Sequence, residues 1–157
     1  MVRTIKQSAI LLAFVVIVAA FAKANAKYKE YMQQSLGNLL LMCTEGDDNG
    51  SYFYAEMQAK HSNLKEALNA HIIGAQNAKI RAGFVSMFQL ARLYQHGQGV
   101  DRNLVQAYRW FSVMTQLSSQ KDLNTAAEKQ LQKLAGQMTP HQLTLAEALS
   151  IKGVRVN

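Results

Sequence analysis

The chain has 157 residues and a mass of 17.5 kDa, with 17 Lys and Arg against 10 Asp and Glu, for a formal charge of +7. This length fits one ordinary domain. A hydrophobic share of 49% and a charged share of 17% exclude intrinsic disorder. The single Cys excludes an internal disulfide framework and a multi-Cys zinc site. One Pro, nine Gly and frequent Ala, Leu and Gln favour an all-α fold.

The first 26 residues have the organisation of a targeting segment. Arg3 and Lys6 precede an apolar run over 9–22, and a small-x-small triplet follows at 24–26. The run is shorter than the roughly 20 apolar residues of a spanning helix, which favours a cleaved signal peptide over a retained N-terminal membrane anchor. In both cases the body, 27–157, lies on the far side of the membrane. We therefore expect a periplasmic protein, or one anchored in the inner membrane and facing the periplasm.

Helical patterns follow one another along the body, and no segment alternates as a strand does. Apolar residues at i, i+3 and i+4 predict an amphipathic helix over 28–43, and a polar loop with glycines follows over 44–50. Further helices are predicted over 51–60, from 63, over 84–96, over 103–117, over 126–137 and from 140. Short helices joined by short loops favour antiparallel helical hairpins.

Helix start signals support these predictions. Asn63 and Asn103 are good N-cap residues, and Thr125 with Glu128 has the spacing of a capping box. The strongest signal is at 139–142, where Thr is at the N-cap, Pro at the first helical position and Gln at the third.

The most specific pattern lies on both sides of a short glycine-containing loop. Leu90 and Tyr94 give one helix a packing ridge. Gly97 permits the left-handed turn that ends this helix, and Gly99 lets the chain reverse tightly. We therefore expect a helical hairpin with its turn at Gly97-x-Gly99.

The second helix of this hairpin has a small residue followed by two large aromatic ones. Ala107 allows the two helices to approach closely, and Trp110 with Phe111 fills the space toward the next unit. This pattern over 90–111 resembles the Sel1-like repeat, a subclass of the tetratricopeptide-like α/α solenoids, and the resemblance extends over about 84–151. It implies an all-α, short α/α solenoid of antiparallel hairpins, preceded here by the N-terminal signal or anchor helix.

The resemblance also implies a role and a surface. Proteins of this family bind other proteins, and the first helix of each hairpin lines the concave face. The polar residues of the best-matched first helix are therefore the predicted protein-binding residues: Gln89, Arg92, Gln95 and His96.

An internal repeat of 40 residues supports this interpretation independently. The residues that recur are Tyr54, Gln58, Asn63, Leu64 and Ala67, which return as Tyr94, Gln98, Asn103, Leu104 and Ala107. The upstream copy lacks the Gly-x-Gly and has Ala70-His71 in place of the aromatic pair, so we interpret it as degenerate.

The predicted body accordingly has four parts. They are N-terminal helices over 27–60, a degenerate repeat over 61–83, the best repeat over 84–118 and C-terminal capping helices over 119–157. Solenoids usually need about three repeats, so this array is close to the minimum. We expect it to dock onto something larger.

The segment 45–56 nearly fits a calcium loop. Asp47, Asn49, Ser51 and Glu56 occupy ligand positions 3, 5, 7 and 12, and Gly50 occupies position 6. The first position has a Glu, which is too long for the usual geometry, and position 8 has a Tyr in place of an aliphatic residue. We favour a solvated loop and keep calcium binding as an alternative.

No residue pattern indicates catalysis or a cofactor. The four His residues lack ligand spacing, which predicts surface or loop positions and no metal site. Cys43 lies on an apolar helix face without a neighbouring cation, as a buried small hydrophobe does. No phosphate loop, catalytic triad signature or nucleophile elbow is present. We therefore expect no enzyme and no cofactor.

Basic residues of the C-terminal two thirds are typical of a solvated surface, although they would also attract an acidic partner or anionic lipid. No nucleic-acid recognition motif is present. The sequence predicts a non-enzymatic, exported protein–protein interaction scaffold. The alternatives are an accessory subunit of a membrane complex held by a retained N-terminal helix, and a calcium-binding protein.

Overall fold

The computed structural model describes residue 26, residues 29–31 and residues 33–154. The chain divides into two compact units, 1–35 and 36–157. In the first unit the described residues are helical at 26, 29–31 and 33, and the chain bends at 34. The predicted signal or anchor segment lies outside the described residues. Among the helices that are described, none combines the length and the apolar character needed to cross a membrane.

The second unit is all-α over its described residues, as predicted. Its helices are α1 (Leu36–Thr44), α2 (Asp48–Lys60), α3 (Leu64–Gln76), α4 (Arg81–His96), α5 (Leu104–Leu117), α6 (Lys121–Ala135) and α7 (Pro140–Val154). Helices adjacent in sequence pack against each other from α1 to α6, and α7 packs on α5. In addition, α2 contacts α4, and α4 contacts α6. This is the arrangement of stacked helical hairpins, in which α2, α4 and α6 are the first helices of successive units.

The core is centred on the second hairpin, α4–α5. The side chains of Leu90, Phe111 and Met114 are completely buried, and Leu134 of α6 joins them. Phe88 of α4 meets Phe111 of α5 edge to face, with ring centroids 5.1 Å apart and an interplanar angle of 71°. Aromatic pairs of this geometry contribute about 0.5–1.5 kcal/mol beyond their buried area. The large apolar residues that the sequence pattern singled out therefore hold the hairpin together.

The 40-residue repeat has a structural counterpart. Asn63 and Asn103 are the N-cap residues of α3 and α5. Ala67 and Ala107 lie one turn inside those helices and are 2% and 0% exposed. The start of α6 keeps the same spacing, because α4 begins at residue 81 and α6 at residue 121. The repeat spacing therefore extends to the first helix of a third unit, which sequence identity does not reveal.

The turn of the second hairpin has the predicted conformation. Gly97 is left-handed with φ 69°, and its N–H donates to the Leu93 carbonyl at 2.9 Å. Gly99 has φ 73°, and a Cβ placed on it would lie 2.5 Å from the backbone oxygen of Leu64. Gly99 is thus required both by its own backbone conformation and by the start of α3, which the loop touches.

The degenerate repeat makes its turn differently. Helix α2 continues to Lys60, so the loop before α3 has only the residues 61–63. Ser62 takes the left-handed conformation with φ 62°. The first hairpin therefore dispenses with the Gly-x-Gly motif by extending its first helix.

Some helix boundaries differ from the sequence prediction. The predicted helix over 28–43 is interrupted at 34–35, and α2 begins at Asp48 within the predicted loop. The predicted start at 126 is wrong, since α6 already begins at Lys121. Thr125 lies inside α6, where its hydroxyl donates to the Lys121 carbonyl at 2.9 Å.

Two predicted caps have the expected geometry. The Asn103 side chain accepts a hydrogen bond from the Gln106 N–H at 3.0 Å. At the start of α7, the Thr139 N–H donates to Gln142 Oε1 at 2.9 Å, and the Gln142 N–H donates to Thr139 Oγ1 at 3.2 Å. This reciprocal pair is a complete capping box.

Candidate protein-binding face

The predicted contact residues lie on α4, the middle one of the three first helices. Arg92 and His96 are exposed, and Gln89 is half-buried. Spacings of three and four residues place these three side chains on one side of α4. They form a polar surface on a helix that otherwise packs against α2, α3, α5 and α6.

Gln95 has a different environment from the other three. It is only 5% exposed, and its Nε2 donates to Gln130 Oε1 of α6 at 3.2 Å. Arg102 from the following loop donates through Nε to the Gln95 carbonyl at 3.1 Å and through Nη2 to Gln137 Oε1 at 3.3 Å. Gln95 is therefore part of the contact between α4 and α6 and is not on the exposed side of α4.

The 40-residue register identifies further residues of the same face. The positions equivalent to Gln89 are Asn49 in α2 and Lys129 in α6. Those equivalent to Arg92 are Tyr52 and Gln132, and the position equivalent to His96 in α2 is Glu56. The α2 members are half-buried, and the α6 members are exposed. These residues were not predicted from the sequence, although the repeat spacing applied to Gln89 and Arg92 points to them.

The α4 and α6 part of this face is cationic. Helix α4 contains no acidic residue, whereas α6 exposes Lys129 and Lys133. Asp122 of α6 is paired with Arg81 by two bonds, Nη2–Oδ2 at 2.5 Å and Nη1–Oδ1 at 2.9 Å. The hydrogen bond from Arg81 lowers the pKa of Asp122 to about 2. The negative charge of Asp122 is thereby neutralised by Arg81, at the point where α4 and α6 begin.

The residues of the calcium interpretation have structural roles that do not fit a calcium loop. Asp47 is the N-cap of α2, where its Oδ1 accepts from the Gly50 N–H at 2.6 Å. Asp48 accepts from the N–H groups of Lys79 and Ile80 at 2.8 Å each, so it fixes the start of α4. Ser51 is completely buried in α2. Within the described residues no three His, Cys, Asp or Glu side chains group as metal ligands.

Cys43 has the environment predicted for it. It is 1% exposed, and burial raises the pKa of its thiol, an effect that the neighbouring Ser51 partly offsets. A raised pKa leaves less thiolate at neutral pH, which makes the side chain less nucleophilic.

The surface or loop prediction is wrong for one histidine. His61, His96 and His141 are exposed, but His71 is 4% exposed inside α3. Its repeat position is that of Phe111. Burial lowers the pKa of His71 to about 4, because the charged imidazolium is poorly solvated there. The sequence placed His71 at an aromatic position of the repeat, and that spacing was the signal for its burial.

No known sequence family and no curated protein matches the chain. Among solved structures, the chain is similar to c5321, a protective antigen of uropathogenic Escherichia coli strains that displays a Sel1-like repeat (SLR) fold. The TM-score is 0.67 at 20% sequence identity, and the alignment covers 86% of this chain but only 30% of that one. The chain thus spans less than a third of the length of this neighbour. Together with the stacked hairpins, this similarity confirms the fold that the sequence pattern predicted.

Proposed function

From the Sel1-like repeat fold we infer that the chain is an exported, non-enzymatic scaffold that binds another protein through the exposed sides of α2, α4 and α6. The observation that carries this proposal is the recurrence of polar residues at equivalent positions of the three helices, exposed on α6, exposed or half-buried on α4 and half-buried on α2. Each unit presents its side chains from a helix that is packed against neighbouring helices. Rigid, repeated presentation of this kind creates the extended binding surfaces of solenoid proteins.

Charged or ionisable side chains on this face that make no ion pair support a binding role. Arg92 and His96 are exposed and make no ion pair within the described part of the chain, whose salt bridge joins Arg81 and Asp122. Interaction surfaces leave such groups to be paired by the partner, where they set specificity and the rate of association more than affinity. We propose Gln89, Arg92 and His96 as contact residues, with Lys129 and Gln132 as their extension on α6.

Site-specific photo-crosslinking tests this face directly. A photoreactive amino acid would replace Gln89 of α4 or Gln132 of α6, and Asn69 on the exposed side of α3 would be the matched control. We expect the same partner to be crosslinked from positions 89 and 132 and not from position 69. Crosslinking from position 69 alone would contradict the proposed face.

A second candidate is an accessory subunit of a membrane complex in the periplasm, held by a retained N-terminal helix. The observation that favours it is α1, an uncharged helix that exposes Leu36, Leu40 and Leu41 at 41%, 43% and 58%. Exposed apolar residues that lie together mark interaction or membrane sites. The intact mass of the protein purified from its native membrane and soluble fractions decides between the two, since loss of the first 26 residues contradicts retention.

A further inference from the structure

The segments that lead into α2, α4 and α6 meet at one edge of the second compact unit. We call this edge, with the helix ends next to it, the inter-unit edge, and its segments are 45–47, 77–80 and 118–120. Asp48 of α2 accepts through Oδ2 from the N–H groups of Lys79 and Ile80. Arg81 of α4 donates to Gln120 Oε1 at 3.2 Å. Each segment is therefore joined to the next by a hydrogen bond.

Two large apolar residues protrude at this edge. Ile80 and Leu117 are 49% and 40% exposed, and they lie at the start of α4 and at the end of α5. In this antiparallel hairpin the Asn103 N–H donates to the Tyr94 carbonyl at 2.8 Å. Ile80 precedes Tyr94 by as many residues as Leu117 follows Asn103, so Ile80 and Leu117 lie at the same level of the hairpin.

Ile80 occupies a position where an apolar residue is unfavourable. It is the N-cap of α4 and makes no side-chain cap bond, whereas Asn, Asp or Ser at this position would stabilise the helix. Its backbone is nevertheless fixed, because its N–H donates to Asp48 and its carbonyl accepts from Gly83 and Phe84. An apolar side chain that is exposed on a fixed backbone is preorganised for an apolar contact.

The charge next to these two side chains is positive. Lys79 lies just before α4, and Lys121 is the first residue of α6. Both are exposed, and neither makes a salt bridge within the described residues. The acidic residues of the edge are bound within the protein or lie at its α2 end: Asp122, Asp48, Asp47 and Glu45. The part of the edge between α4 and α6 is therefore cationic.

We propose that the inter-unit edge docks on an anionic membrane surface. Ile80 and Leu117 enter the headgroup region, and Lys79 and Lys121 lie against the lipid phosphates. Interfacial binding increases with the apolar area that enters the headgroups and with the attraction of lysines to the surface potential. Protruding side chains on a helix end suit a bilayer, because a bilayer receives them without a pocket of matching shape. This surface is separate from the exposed helix sides of the proposed function, so each can fail without the other.

Co-sedimentation of the full chain with vesicles tests the proposal. The vesicles contain phosphatidylglycerol and phosphatidylcholine in equal parts, and every variant keeps the N-terminal segment, so differences among variants report on the edge. Lys121→Gln and Leu117→Ser should each weaken binding about three- to tenfold, which corresponds to roughly 1 kcal/mol. Vesicles of phosphatidylcholine alone should bind more weakly, and equal binding to them would overturn the requirement for anionic lipid.

Matched controls lie at the opposite edge. Leu64 is 38% exposed at the start of α3, beside the hairpin turn at Gly99, and Lys65 next to it is exposed. Leu64→Ser and Lys65→Gln should leave vesicle binding unchanged. An equal loss in these controls, or no loss in Lys121→Gln and Leu117→Ser, would overturn the proposal.

Ile80→Asn separates membrane binding from folding. Asn supplies the missing N-cap of α4, so the melting temperature should rise while vesicle binding falls about three- to tenfold. Unchanged vesicle binding would overturn the contact by Ile80. A lower melting temperature would overturn the interpretation that Ile80 occupies this position against the preference of the helix.

A local reporter distinguishes a lipid surface from an acidic protein. An environment-sensitive fluorophore would be attached to Leu117→Cys or, as the control, to Leu64→Cys, since the native Cys43 is only 1% exposed. With the anionic vesicles we expect a shift to shorter emission wavelength at position 117 and none at position 64. A shift at both positions or at neither would overturn the docking edge. A shift with soluble polyglutamate and none with vesicles would assign the edge to an acidic protein and overturn the lipid surface.

Discussion

The first hairpin, α2–α3, and the second, α4–α5, share one backbone register and are held together by opposite means. At three equivalent buried positions the second hairpin has Leu90, Phe111 and Met114, whereas the first has Gly50, His71 and Gly74. Large apolar side chains fill the second hairpin. In the first, neighbouring helices leave no room for a Cβ on the glycines: one on Gly50 would lie 2.4 Å from Met42 Cβ of α1, and one on Gly74 would meet α4 and α2.

The close approach in the first hairpin involves polar neighbours. A Cβ on Gly74 would lie 2.8 Å from Ser86 Oγ and 3.0 Å from Ser51 Cβ, so three helices meet at this residue. Both serines are completely buried. A repeat can therefore keep its register while its packing changes. Large apolar side chains fill one copy, and glycines let helices approach closely in the other. We expect the first hairpin to be the weaker and the more pH-dependent of the two.

Truncation at the shared aromatic position should give the largest difference between the hairpins. Phe111→Ala removes a completely buried ring that packs on Phe88, and we expect a loss of about 3–5 kcal/mol in the free energy of unfolding. His71→Ala should cost less, because it also removes a buried nitrogen, Nδ1, that has no hydrogen-bond partner in the described part of the chain. Urea denaturation measures the free energy of unfolding of both variants. Equal losses would contradict the difference in packing between the two hairpins.

The second prediction concerns acid stability. The pKa of His71 is lowered to about 4 from the 6.5 of an unfolded chain, so between these pH values only the unfolded state binds the proton. Stability should therefore be lost as pH falls from 6.5 to 4, by roughly 1.4 kcal/mol per pH unit at most. His71→Phe should remove this slope. Denaturation at several pH values checks it, and an unchanged slope in the variant would assign the acid sensitivity to other groups.

The third prediction tests whether the helices meet closely at Gly74. Gly74→Ala should cost about 1–3 kcal/mol through overpacking, more than the roughly 1 kcal/mol by which Ala favours a helix over Gly. Ser86→Gly in the same chain should restore part of the loss. Gly136→Ala is the control, since a Cβ there would meet nothing closer than 3.7 Å, and it should not lower the melting temperature. A harmless Gly74→Ala would mean that the helices do not meet this closely.

How far the sequence predicts each feature depends on the range of the interactions that determine it. The turn at Gly97 and the capping box at Thr139 are set by groups within four residues, and both have the predicted geometry. The burial of Gln95 depends on α6, whose Gln130 accepts its hydrogen bond from 35 residues away in sequence. Periodicity shows which side of a helix a residue occupies, but it does not show which neighbour covers that side.

The start of α6 illustrates the same limit within a shorter distance. Thr125 and Glu128 have capping-box spacing, yet α6 begins at Lys121. Ser118 provides the competing start, since its hydroxyl accepts from the Gln120 N–H at 3.0 Å and its carbonyl accepts from Asn124 at 2.8 Å. The pairing of Asp122 with Arg81 of α4 then stabilises this earlier start. This pairing is a tertiary contact, and the local sequence pattern does not contain it.

The smallest predicted effect compares the two equivalent caps. Asn103 accepts from the Gln106 N–H, so Asn103→Ala should lower the free energy of unfolding by about 1 kcal/mol. Asn63 stands at the same repeat position, but its side chain donates to Gln58 Oε1 at 2.8 Å and makes no cap bond to α3. Asn63→Ala should therefore cost less than Asn103→Ala, because α3 loses no capping acceptor. Chemical denaturation of both variants measures the difference, and an equal cost would show that the two hairpins are capped alike.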